Sequence, residues 1–117
     1  MMTELATKKF MVLYLAPTSV LEDWAKTDPE IRKNAEQKMQ IEWRKWMEEH
    51  AKMISLTEAG GKTKRVTASG ISDTKNDIML YSFVEAKTHD EVTKIFANHP
   101  HLQIPQSSIE VMEVRSM

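Results

Sequence analysis

Residues 9–16 (KFMVLYLA) are apolar at odd and even positions alike. Phe10, Val12 and Tyr14 share one face; Met11, Leu13 and Leu15 share the other. That pattern predicts a strand buried on both sides, bounded by Pro17. Residues 77–85 (DIMLYSFVE) repeat it, with Ile78, Leu80 and Val84 against Met79, Tyr81 and Phe83. Residues 63–68 (TKRVTA) are short and polar, which suits a sheet edge where charge discourages wrong pairing. Residues 108–114 (SIEVMEV) close the chain as a strand of mixed faces.

Between these strands the period changes to that of a helix. Ser19 and Glu22 have capping-box spacing and predict a short helix through Lys26. Thr27-Asp28-Pro29-Glu30 is a second such start, with proline tolerated in the first turn. From there Ile31, Ala35, Met39, Trp43, Trp46, His50, Met53 and Thr57 form one stripe, predicting a helix over about 28–59 that Gly60-Gly61 ends. Such a helix is about 45 Å long. A compact domain of this size has a radius of gyration of only about 13 Å. Its first half is therefore expected to project past the core, or to bend near Gln40. Residues 69–76 (SGISDTKN) read as turn chemistry. Thr88-His89-Asp90-Glu91 is a third capping box, opening a helix with Val92, Ile95 and Phe96 on its apolar side and Pro100 as its stop. With no repeat or linker, 1–117 reads as one unit.

Strand, helix, strand, strand, helix, strand is the ferredoxin-like βαββαβ order, an α+β fold on an antiparallel sheet. Its first and third strands are central, which agrees with the two that are apolar on both faces. Two helices cover only one face of a four-stranded sheet. The other face needs a cover, and a second copy in an isologous homodimer is the simplest one.

Composition narrows the function classes. The chain is 41% hydrophobic and 28% charged, as globular proteins are. A formal charge of −1 argues against a nucleic-acid partner, which calls for a basic excess. There is no cysteine, so disulfides and thiolate metal sites are out. No apolar run approaches the roughly 20 residues of a membrane span, and the opening MMTELATKKF lacks the order of a signal peptide. The expectation is a soluble cytoplasmic protein with no membrane partner. Nine methionines suit irregular core gaps.

Candidate chemistry centres on His50 and His99, each on the apolar side of a predicted helix. A buried imidazole must be hydrogen-bonded or put to use. Helices of this topology pack on one sheet face, so the two rings are expected at one cleft, dividing base and acid roles if their environments differ. Trp43 and Trp46 are candidates for the floor of an aromatic-ligand pocket, core packing being the alternative. Asp77, and with it Asp73, flanks the turn before the third strand; Asp77 is a candidate to orient a histidine, turn formation being the alternative. His101 extends His99-Pro100-His101, an imidazole pair that suits a metal only with further ligands, and no second spaced pair is present. No metal and no cofactor are expected. Lys62, Lys64 and Arg65 read as a solvated edge, and neither a nucleophile elbow nor a glycine-rich phosphate cradle is present.

Four stretches resemble the YCII-related and DGPF domain group: 96–114 (FANHPHLQIPQSSIEVMEV), 50–60 (HAKMISLTEAG), 67–77 (TASGISDTKND) and 10–14 (FMVLY). Together they span most of 9–114, with 17–40 outside the general pattern. The resemblance implies a dimeric α/β barrel; a few members are similar to a metal-free dehydrochlorinase of chlorinated hydroxyquinones. In the YCII type a helix histidine works beside an aspartate just before a proline near the chain's end. His50 matches the histidine. His99, before Pro100, stands where the aspartate is expected, and Ser72-Asp73-Thr74-Lys75 lies where the Asp-Gly-Pro-Phe signature is expected. Two expectations follow. One is a small-molecule-binding protein, acting as a cofactor-free lyase or isomerase on an aromatic or cyclic substrate through His50 and His99. The other is a non-catalytic ligand-binding or interaction domain whose histidines are structural.

Overall fold

The computed structural model describes residues 7–117. The stretch read above for a leader lies mostly outside them. The elements in chain order are β1 (Lys8–Leu15), α1 (Thr18–Ala25), α2 (Pro29–Glu49), β2 (Ile54–Ala59), β3 (Thr63–Thr67), β4 (Gly70–Thr74), β5 (Ile78–Ala86), α3 (His89–Phe96), a 3-10 turn (Pro100–Gln103) and β6 (Ser108–Val114). An antiparallel sheet of order β2-β5-β1-β6 carries the fold, and β3 and β4 form a separate hairpin. The fold is α+β and ferredoxin-like, with the two-sided strands β1 and β5 in the centre.

Two expectations need correction. The helix predicted over 28–59 stops at Glu49, and Ile54–Ala59 is the edge strand beside β5. The helical stripe runs on through Met53 and Thr57 by coincidence of spacing. What wins is long-range pairing: the N–H of Glu85 donates to the Met53 carbonyl at 2.9 Å, and that of Gly60 donates to Met79 at 2.8 Å. Gly60 thus ends a strand rather than a helix, and a Cβ there would sit 3.2 Å from the Ile78 carbonyl oxygen. Consequently the polar 63–68 stretch is not the sheet's edge; it is one arm of the hairpin, and the predicted turn 69–76 holds the other arm, β4.

Helix starts follow the sequence unevenly. Asp28, not Thr27, caps α2, its carboxylate accepting from the N–H groups of Glu30 and Ile31, with Pro29 in the first turn. Thr88 caps α3 as expected, accepting from Glu91 N–H at 3.1 Å. At α1 the capping box is absent: Pro17 is the N-cap and offers no side-chain bond. Each formed cap contributes about 1 kcal/mol.

Phe10, Val12, Tyr14, Val84, Val92, Phe96 and Trp46 make the core between the sheet and the helices. Val12 and Tyr14 sit opposite Val111 and Ile109 of β6, which complete that face. Through its centre runs a chain of three hydroxyls: Tyr14 Oη to Ser82 Oγ at 2.8 Å, and Ser82 Oγ to Thr57 Oγ1 at 2.7 Å, joining β1, β5 and β2. Ser82→Ala removes the middle member and leaves the buried Tyr14 hydroxyl unpaired. It is expected to cost about 1–3 kcal/mol, against about 1 kcal/mol for Thr57→Val, which leaves the Tyr14–Ser82 bond intact. Urea unfolding midpoints of the two variants check the order.

The opposite sheet face, with Met11, Leu13, Leu15, Met79, Tyr81 and Phe83, is only half-buried, and no helix among the described residues lies over it. The first half of α2 extends beyond the core, with Ile31 exposed, and α1 buries no residue. These projections and the hairpin raise the radius of gyration to 16.8 Å, above the compact value of about 13 Å. No helix among the described residues is long and apolar enough to cross a membrane.

Candidate functional site

Neither key histidine lies within a helix, contrary to the sequence expectation; each sits just past a helix end. His50 is the C-cap of α2, with φ −119°. Its ring Nδ1 lies 2.8 Å from the Trp46 carbonyl oxygen. A carbonyl only accepts, so Nδ1 carries a proton, and in the neutral ring it is Nε2 that presents the lone pair. The half-buried ring lies against the Trp46 indole, with centroids 4.2 Å apart.

His99 follows α3 and caps the 3-10 turn, because α3 ends at Phe96 rather than at Pro100. Its Nδ1 accepts from the backbone N–H of His101 at 2.9 Å, which places the ring proton on Nε2. That Nε2–H is buried and has no hydrogen-bond partner among the described residues. The ring is 2% exposed and enclosed by Trp43, Trp46, Tyr14 and Phe96, the first two at 4.3 and 4.4 Å between centroids. Burial first, then the neighbouring His101 and His50 rings, pull its pKa from 6.5 down to about 3. His99 is a neutral imidazole at any physiological pH.

His101 is fully buried. Its Nε2–H donates to the Leu15 carbonyl at 2.9 Å, anchoring the 3-10 turn to the end of β1, while Nδ1 has no hydrogen-bond partner among the described residues. Burial lowers its pKa as well, opposed by the carbonyls of Leu15 and Ser108.

The structure therefore brings together five of the six residues singled out: His50, His99, His101, Trp43 and Trp46. Trp43 and Trp46 come from one face of α2, and the rings of His50 and His99 both pack against the Trp46 indole. Asp77 is apart from them, exposed at the head of β5, where its backbone carbonyl accepts from Ala16 N–H at 2.9 Å. Tyr14 belongs to the cluster, its ring 5.2 Å from His99 and 5.6 Å from His101, and the sequence reading missed it. The available signal was a phenol on the inward face of a central strand, where a hydroxyl must find a partner.

A shallow cavity of about 260 Å³ lies on the outer margin of this cluster, lined by Trp46, Glu42, Lys45, Glu49, Asn98 and Pro100, and also by Gln103. Gln103 donates to the Glu42 carboxylate there, tying the 3-10 turn to α2. A larger cavity of about 640 Å³ lies elsewhere, between Thr18 and the base of the hairpin. Its lysines are solvated, Lys64 being held by Asp73 at 2.8 Å and Lys75 lying 3.8 Å from Glu22. Among the described residues no group of three or more His, Asp or Glu side chains is placed to hold a metal ion.

No family model matches the chain, and no curated protein matches it. Among solved structures it is similar to the 5-chloro-2-hydroxyhydroquinone dehydrochlorinase of Burkholderia phenoliruptrix AC1100, in complex with 2,5-dihydroxybenzoquinone. Identity is 13%, the TM-score 0.51, and the alignment covers 93% of this chain and 95% of that one. It is also similar to the 30S ribosomal protein S6 of Thermotoga maritima, at 14% identity and a TM-score of 0.38, covering 93% and 89% of the two chains. The likeness to the dehydrochlorinase is one of fold.

Proposed function

We propose that this chain binds a small, flat aromatic or cyclic molecule at the margin of the histidine–tryptophan cluster, and moves a proton on it through His50 in a cofactor-free lyase or isomerase step. The observation that carries this reading is the state of the His50 ring. Its Nδ1–H is clamped on the Trp46 carbonyl, so a half-buried, aromatic-backed Nε2 is fixed as the basic nitrogen. A base in one tautomer and one orientation is what general base catalysis requires. His99 serves as a positioning residue: neutral and enclosed, it packs against the same Trp46 indole as His50 and so helps to fix the ring that backs it. The resemblance of 50–60 to the YCII-related group supports the same assignment, and so does a dehydrochlorinase among proteins of this fold. In the same reading two copies pair through the uncovered sheet face, leaving both clusters open to ligand.

In a dehydrochlorination, His50 Nε2 would accept the substrate's proton while chloride leaves with the bonding electron pair. The test uses 2,5-dihydroxybenzoquinone as a binding probe, read by tryptophan fluorescence, and chloride release from 5-chloro-2-hydroxyhydroquinone as the reaction. Wild type is expected to show quenching and chloride release, and His50→Ala to keep the quenching while losing 10²–10⁴-fold in rate. Equal rates in the two proteins would falsify the base assignment; no quenching by the probe would remove this ligand class.

One observation favours a second reading, a non-catalytic binding domain. His99 and His101 each have a ring nitrogen bonded to backbone and are closed off from solvent, as structural histidines are. In that case His50→Ala alters ligand affinity and no rate.

A further inference from the structure

Among the described residues, strands β3 and β4 pair only with each other. A two-stranded ribbon on its own is marginal in water. This one carries Val66 and Ile71 directly opposite each other beside its turn, 75% and 72% exposed. This β-branched pair has little to pack on among the described residues. The ribbon and its ends are also basic, with Lys62, Lys64, Arg65 and Lys75 against the single Asp73. The uncovered sheet face has the opposite balance. Alternation puts exposed Glu58, Glu85 and Glu110 on it, with Lys9 the only lysine, lying over the Phe83 ring.

The projecting basic ribbon with its exposed apolar pair is complementary in charge to that acidic face. A twofold axis uses the same patches on both copies, so one ribbon per chain suffices.

We infer that the β3–β4 hairpin is an arm that clasps a second copy of this chain, seating Val66 and Ile71 and the basic side chains along the acidic rim of that copy's uncovered sheet face. The inference rests on the sheet pairing proposed above. Its test is the dimer dissociation constant of the full chain by sedimentation over a dilution series, for wild type, Phe83→Glu and Val66→Thr/Ile71→Thr. Threonine keeps the β-branch, and neither position belongs to the core, so circular dichroism should match wild type. Wild type is expected to dimerise, Phe83→Glu to be monomeric, and the double variant to weaken the dimer at least tenfold. If Phe83→Glu is monomeric while the double variant dimerises within twofold of wild type, the clasp is overturned and the sheet pairing stands. A wild type monomeric at every concentration overturns both.

Discussion

Folding stability is expected to fall by about 1.4 kcal/mol for each pH unit of acidification below 6.5, through His99 alone. The direction follows from which state takes up the proton. Unfolded, the imidazole titrates near 6.5; folded, it resists protonation down to about 3, because it is enclosed by rings and lies beside two other histidines. Between those values the unfolded chain binds a proton that the folded chain refuses. The stabilisation is therefore complete above 6.5 and drains away as pH falls toward 3. Over the whole window it amounts to about 3–5 kcal/mol, a large share of the roughly 5–15 kcal/mol typical of a domain. His101, also lowered by burial, acts in the same direction and steepens the upper part of the window. His99→Asn is the diagnostic variant, since its amide oxygen can still accept from His101 N–H as an N-cap while the titrating ring is gone. Urea unfolding at a series of pH values from 7.5 to 4.5 should show the variant's slope reduced by about one proton. Identical slopes would mean that His99 is reached by solvent in the folded protein.

The same ring shows what the sequence could and could not reveal. The order of elements was enough to bring His99 and His50 to one cluster, although both rings sit past helix ends rather than on the helix sides where the stripe put them. The central position of β1 and β5 was legible too, because Met11 and Leu13 on one and Tyr81 and Phe83 on the other make both strands apolar on two faces, as central strands are. What local pattern could not show was the fate of 54–59. Met53 and Thr57 continue the helical stripe, no proline or glycine interrupts it at His50, and the competing partner, β5, lies more than twenty residues away. Once that stretch becomes the edge strand, 63–74 is displaced from the sheet and becomes a free ribbon. One missed helix end thus accounts for both errors of topology. The hydroxyl chain through Ser82 escaped for a related reason: a serine amid apolar neighbours marks a polar need, but its partners on β1 and β2 are set by register.

Trp46→Ala is expected to destabilise the protein by about 3–5 kcal/mol, the cost of emptying a large buried aromatic site. Trp46 is 7% exposed and is the common neighbour of His50, His99 and Phe96, with centroid distances of 4.2, 4.4 and 4.8 Å. Trp24 is the internal control. It lies on α1, which buries no residue, and is 36% exposed, so Trp24→Ala should stay within about 0.5 kcal/mol of wild type. Two tryptophans of similar helical context thereby separate packing from mere hydrophobicity. Removing the indole does a second thing: it opens one wall of the box around His99, and the burial that holds that imidazole near 3 is relaxed. The His99 titration followed by NMR should move up toward its ordinary 6.5 in Trp46→Ala and stay in place in Trp24→Ala. A variant that loses the stability but leaves the His99 titration unmoved would show that Tyr14, Trp43 and Phe96 enclose the ring without Trp46. The proposed hold of His99 on His50 through the indole would then have to be given up.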